Sequence, residues 1–143
     1  SSSAFCIRGG YGRESGTVVF VDGGERLLRW PPEGTNASQG QPTSCAFSAD
    51  GRMAASYVIH TGLGNPPIRS VVLYSREIEI VASWDREETG SWPYEAVSAA
   101  LPSGKWLLMD VGEKSAKRWF VMDDGGVRTP LSIDADRVVA VIH

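Results

Sequence analysis

The sequence predicts an all-β protein made of antiparallel hairpins, and three observations carry that prediction. Short apolar runs end again and again in Asp-Gly, Gly-Gly or Ser-Gly steps. No stretch keeps a 3.6-residue apolar period over three turns. Sixteen glycines and eight prolines interrupt the chain every few residues, so strands fit between them where helices do not.

The hairpins follow in order along the chain. TVVFVDGGERLLRW (17–30) is an apolar run, an Asp-Gly-Gly turn and a second run. Glycine after aspartate supplies the positive φ that a tight hairpin turn requires. AFSADGRMAASYVI (46–59) repeats this around Asp50-Gly51, AALPSGKWLLMDV (99–111) around Ser103-Gly104, and WFVMDDGGVRTPL (119–131) around Asp123 to Gly126. RVVAVIH (137–143) reads as a terminal strand that joins a sheet, because an unpaired apolar strand invites aggregation.

A weak repeat overlies these hairpins. VVFVD, VVLYS and WFVMD begin at residues 18, 71 and 119, spacings of 53 and 48. The Gly-Arg step of SADGR (48–52) and the Gly-Lys step of PSGK (102–105) are also 53 apart. A period of about 50 residues is that of propeller blades. Three units fall short of the roughly four to eight blades that close a propeller. Blade-like units in an incomplete propeller-like or sandwich-like assembly are therefore expected, unless the likeness is only that of one turn-rich hairpin to another. A length of 143 residues suits one domain spanning 1–143, with one core.

Composition narrows the function classes. Apolar residues make up 42% and charged residues 22%, a globular rather than a disordered balance. A net charge of −3 lacks the basic footprint of a nucleic-acid binder. No apolar run reaches the length of a membrane span.

Cys6 and Cys45 lie in the strand-like runs AFCIR and SCAFS. His60 and His143 are the only histidines, and neither stands at ligand spacing from a cysteine, so no metal site is expected. The cysteines read as a disulfide between neighbouring strands, which requires an oxidising compartment. The alternative is a pair of buried thiols in a cytosolic protein. SSSAF at the start looks like a mature end left after signal-peptide removal.

Catalytic patterns are soon exhausted. No serine sits in a G-x-S-x-G elbow, GGYG (9–12) is no phosphate loop, and DGG and DADR lack the ligand spacing of a calcium loop. His60 is the one candidate base, and a solvated loop histidine explains it more simply. Asp85, Glu87, Glu88 and Glu95 could form a paired-carboxylate hydrolase, although a charged loop is usually just hydrated. The expectation is no enzyme and no cofactor. Asn36-Ala37-Ser38 is a formal glycosylation sequon of a kind that often occurs by chance.

Binding is left, and it belongs to the connections between hairpins. WPPEGTNASQGQPTS (30–44) and HTGLGNPPI (60–68) are polar, Pro/Gly-rich links. The third, WDREETGSWPYE (84–95), sets Gly90-Ser91 between acidic residues and the aromatics Trp92 and Tyr94. Of the five tryptophans, Trp106 and Trp119 read as core, Trp84 as a strand end, and Trp92 as a loop residue. Trp92 and Tyr94 either anchor an interface or fold back to stiffen the loop.

EETGSWPYE, together with the SADGR and PSGK hairpins in an acidic, secreted-type chain, resembles the periplasmic immunity proteins of type VI secretion peptidoglycan amidases. In particular, it resembles the immunity proteins of amidases that cleave γ-D-glutamyl-diaminopimelate bonds. The resemblance implies a non-enzymatic inhibitor that inserts a loop into the amidase's Cys-His cleft. Ser91 would then be the tip, its hydroxyl meeting the amidase histidine, and Gly90 would allow close backbone approach. Trp92 and Tyr94 would pack on the cleft rim, while Glu87 and Glu88 would meet basic groups and speed encounter. The competing reading is a secreted propeller-like module that stacks glycan or peptide ligands on Trp30, Trp92 and Tyr94.

Overall fold

In a computed structural model of the chain, the residues described are 4–9, 16–21, 23–32, 40–87, 94–111 and 116–135. They form eleven strands and no helix. Sheet 1 contains β1 (Ala4–Gly9), β2 (Gly16–Val21) and β3 (Gly24–Leu28). Sheet 2 contains β4 (Gln41–Phe47), β5 (Met53–Ile59), β6 (Ile68–Tyr74) and β7 (Ile80–Glu87). Sheet 3 contains β8 (Tyr94–Ala100), β9 (Trp106–Val111), β10 (Lys117–Met122) and β11 (Arg128–Leu131). Within each sheet every strand pairs antiparallel with its neighbours in sequence, and no sheet closes into a barrel. The chain is a succession of meanders, as the hairpin pattern predicts.

The three sheets stack with sheet 2 in the middle. β1 lies against β4 and β4 against β8, so the opening strands of successive sheets meet, a blade-like arrangement. Both faces of sheet 2 are covered, which explains the near-continuous apolar runs of β5 and β6. Met53, Ala55, Tyr57, Val72 and Tyr74 face sheet 1, joining Val19 and Leu28. The alternate residues Ala54, Val71 and Leu73 face sheet 3, joining Val97, Ala100, Trp106, Leu108 and Met122. Cys6 and Cys45 are disulfide-bonded, tying β1 to β4 with Cα atoms 6.2 Å apart. Closing a loop of 39 residues stabilises the fold by about 4 kcal/mol in the chain-entropy account.

One turn is used four times, at 48–52, 75–79, 101–105 and 123–127. In each, the first residue's carbonyl accepts from the fourth residue's N–H and its N–H donates to the fifth residue's carbonyl. This is a type I turn closed by a residue in the left-handed region. Gly51, Gly104 and Gly126 supply that residue with φ of 86°, 78° and 79°. In the β6–β7 turn it is Ile78, at φ 62°. A β-branched residue resists this conformation. Ile78 adopts it with its side chain buried against Val19 in the sheet 1–sheet 2 core.

The pairing registers sort the connections into two groups. All four tight turns lie at one end of sheets 2 and 3. Gln41, Ile59, Ile68 and Glu87 mark the other end of sheet 2, from which connections 30–40, 60–67 and 88–93 emerge together. Three boundaries differ from the sequence reading. β7 runs to Glu87 and β8 starts at Tyr94, so only 88–93 of the expected 84–95 connection lies between strands. Trp84 is consequently inside β7 rather than at its end. β4 begins at Gln41, taking the last residues of the 30–44 connection, because Gln41 pairs with Val58. The terminal strand expected at 137–143 lies outside the described residues. The repeat holds for sheets 2 and 3: SADGR and PSGK are both first-to-second-strand turns, and VVLYS and WFVMD are both third strands. In three-stranded sheet 1, VVFVD falls on the second strand.

Candidate functional site

Residues 88–93 carry the chain from sheet 2 to sheet 3. Glu88, Gly90, Ser91 and Trp92 lie outside the described residues. Glu87 and Tyr94 are placed by their backbones, Glu87 opposite Ile68 at the end of β7 and Tyr94 opposite Val111 at the start of β8.

Both ends of this segment are fastened by side chains from other strands. Arg86, beside Glu87, lies 3.6 Å from the buried carboxylate of Asp110 on β9. Arg118 on β10 donates to the same Asp110 oxygen. On the other side Glu95, only 3% exposed, accepts from Arg128 Nε of β11 at 2.8 Å. The hydroxyl of Thr43 on β4 donates to the Glu95 carbonyl at 3.1 Å, and the Val97 N–H donates to Ser56 Oγ on β5 at 3.2 Å. Ser70 Oγ donates to Asp85 at 2.6 Å. Buried charge is retained only where it is paired and hydrogen-bonded, since stripping a partner leaves an uncompensated charge in low dielectric. The strands on either side of 88–93 are thus held in fixed relation across the sheet 2–sheet 3 boundary.

These bonds also define the roles of the carboxylates considered for hydrolysis. Glu95 is turned inward and committed to Arg128, and Asp85 accepts from Ser70. Among the described residues no group of three His, Cys, Asp or Glu side chains could hold a metal ion, and no helix is long and apolar enough to cross a membrane.

The tryptophans divide by depth. Trp106 is fully buried, and Trp119 is buried with its indole N–H donating to the Ala135 carbonyl at 2.7 Å, both core as read. Trp84 lies against Gly126, where an added Cβ would come 2.1 Å from the indole nitrogen. Trp30 packs on the sheet 1–sheet 2 core and precedes a cis peptide bond to Pro31. Its side chain is partly buried against that core rather than standing open as a stacking platform, and the Gly40 N–H donates to the Trp30 carbonyl.

The neighbouring 60–67 connection carries a feature the sequence reading did not single out. Leu63 stands at 106% of the reference exposure, flanked by Gly62 and Gly64. His60, at its base, is exposed. At the opposite end of the molecule, a groove of about 310 Å³ between sheets 1 and 2 is lined by Val19, Ile78, Glu25, Arg26, Arg76 and Glu77, with acids and bases in balance.

No family model, curated protein or solved structure matches the chain.

Proposed function

We propose that the chain is an immunity protein that binds and inhibits a type VI secretion peptidoglycan amidase, with residues 87–94 as the inserted element. One observation supports this reading above the others: 88–93 is a short connection whose two flanking strands are fastened by buried charge. Arg86–Asp110 lies on one side and Glu95–Arg128 on the other. A segment mounted this way keeps its ends fixed when it enters a cleft, so less ordering opposes binding. Gly90 and Ser91 are small enough for a groove shaped to a peptide, and Trp92 and Tyr94 add contact area at little entropic cost.

In this reading the Ser91 hydroxyl meets the amidase histidine, Gly90 gives close backbone approach, and Glu87 and Glu88 steer the encounter. The Cys6–Cys45 disulfide supports an oxidising setting, and the proposed compartment is the periplasm. No cofactor takes part, and the chain performs no chemistry of its own.

The test is a pull-down from the source bacterium followed by an amidase assay. A Cys-His cell-wall amidase recovered stoichiometrically and inhibited supports the proposal. Ser91→Arg and Trp92→Ala should each weaken that complex by at least tenfold while leaving the melting temperature unchanged. Unchanged affinity in both variants removes 88–93 from the interface. Retention on peptidoglycan fragments with no protein partner would favour a ligand-binding module using Trp92 and Tyr94.

A further inference from the structure

We propose that the open edge of sheet 1 is a binding site, independent of the inhibitor reading, that takes one extended peptide segment as a fourth strand. Sheets 2 and 3 each have four strands, whereas sheet 1 stops at β3, whose far side pairs with no described strand. The antiparallel register with β2 points the N–H and C=O groups of alternate β3 residues away from the sheet. Such an edge is a template for another strand unless something covers it.

The neighbouring sheet shows where that strand would lie. β1 lies against β4, and both sheets run outward from there in chain order, so β3 overlies β6 and a fourth strand would overlie β7. β7 is covered on one face only. Trp84 packs against the core shared with sheet 3. On the other face Ser83 stands opposite Val72, a member of the sheet 1–sheet 2 core, yet Ser83 is exposed. Ile80 and Val81, at the start of β7, keep 46% and 59% exposure.

Between β3 and this uncovered stretch lie two cavities of about 310 and 210 Å³, both lined by Arg26 and Ile78. Val19 and Val21 add apolar wall to the first, and Leu28, Tyr74 and Ile80 to the second. Apolar cavities beside an open edge are what an added strand requires. Backbone bonds to the edge supply affinity, and every second side chain drops into the groove. Three glutamates and three arginines line the two cavities, so the segment that fits carries no net charge and turns apolar residues inward. A second copy does not fit in the antiparallel sense used throughout this fold, because the β7 of one copy would stand where the β6 of the other must lie. The occupant is therefore one strand with no sheet behind it, an extended segment of a partner protein.

The probe is a capped synthetic heptapeptide of alternating threonine and valine, added to the intact, oxidised chain while amide hydrogen exchange is followed by NMR. In the free chain alternate β3 amides should exchange faster than those of β5, and saturating peptide should slow them by about tenfold or more. The same peptide N-methylated at alternate residues, on its hydrogen-bonding edge, should give no protection. Val81→Asp should weaken peptide binding about tenfold with an unchanged thermal melt, and Val127→Asp, in the β10–β11 turn, should bind like the parent. β3 amides already protected throughout in the free chain would mean that the edge is taken, and the proposal falls. It falls equally if the peptide leaves β3 exchange unchanged, if N-methylation makes no difference, or if Val81→Asp binds like the parent. None of these outcomes bears on 88–93, which are tested through Ser91 and Trp92.

Discussion

Sheet 2 meets a neighbour on each face, and the two seams are built differently. Toward sheet 1 the seam is apolar and covalent: Tyr57, Tyr74, Met53 and Ile78 pack on Val19 and Leu28, and the Cys6–Cys45 bond staples β1 to β4. Toward sheet 3 an apolar layer around Trp106 is framed by polar bonds at both ends. Arg52 reaches Asp124 at 2.6 Å and the Gly104 carbonyl at 3.2 Å, over the Trp106 ring. At the far end, Arg86–Asp110 and Thr43–Glu95 span the same boundary. Sheet 1 has three strands and an exposed outer face bearing Phe5 and Ile7, so it offers less area to bury. A cross-link offsets that deficit by limiting the unfolded chain. Sheet 3 has area enough, and its directional bonds set how the strands flanking 88–93 are aligned. One seam secures stability; the other also positions the candidate site.

The largest expected effect separates the seams by redox chemistry. Cys45→Ser, or reduction, should cost about 4 kcal/mol in urea unfolding. Protection of sheet 1 amides from hydrogen exchange should be lost before that of sheet 3. Equal loss in both sheets would mean that the seams fail as one unit.

Next comes Gly126→Ala in the sheet 3 seam. The new methyl meets the Trp84 indole, and alanine must also hold φ near 79°. The sum of the clash and left-handed strain is about 3 kcal/mol. A loss below about 1 kcal/mol would show that Trp84 moves aside freely.

Arg52→Ala should cost about 1–2 kcal/mol, since its bonds are charge-assisted but partly solvated. Asp50, a partner of Arg52, has its carboxyl held below the ordinary 3.8, first by the Ser48 hydroxyl and then by Arg52. Because the folded form binds that proton less readily than the unfolded chain, the contribution is complete above pH 3.8 and fades as pH falls through the lowered value. Urea titrations between pH 5 and pH 2 should show a shallower acid loss in Arg52→Ala than in the parent.

The smallest effect near neutrality belongs to the sheet 1 seam and grows with alkali. Burial raises the Tyr57 hydroxyl above its ordinary 10.0, with the Tyr74 hydroxyl 3.2 Å away as a partial offset, and burial raises Tyr74 as well. Above pH 10 the unfolded tyrosines ionise while the folded pair keeps its protons, so stability falls as pH rises. Tyr74→Phe should flatten that fall in unfolding measurements from pH 8 to 11.

The hairpins were readable because their chemistry is local. Asp-Gly and Ser-Gly steps announce the turns at 48–52, 101–105 and 123–127, where glycine takes the left-handed position. The equivalent β6–β7 turn, Ser75–Glu79, carries no such mark, because Ile78 holds that position and is kept there by burial against another sheet. The extent of β7 was missed for a related reason: WDRE reads as loop, yet Asp85 and Arg86 pair with Ser70 and Arg69 at the edge of sheet 2. An available signal for the charge network went unused. In β9, Trp106, Leu108 and Asp110 share one face by strand alternation, which turns the aspartate inward.

By itself, the sequence determined the all-β class, the turns at its Asp-Gly and Ser-Gly steps and the placing of both cysteines in strand runs, because alternation and turn preference act over a few residues. Only the tertiary structure decided which faces of sheet 2 meet which neighbour, that Trp30 packs on the sheet 1–sheet 2 core, and that Glu95 and Asp110 are buried and paired. Those outcomes depend on contacts between residues tens of positions apart, and they are settled by burial and charge pairing that no short stretch of sequence encodes.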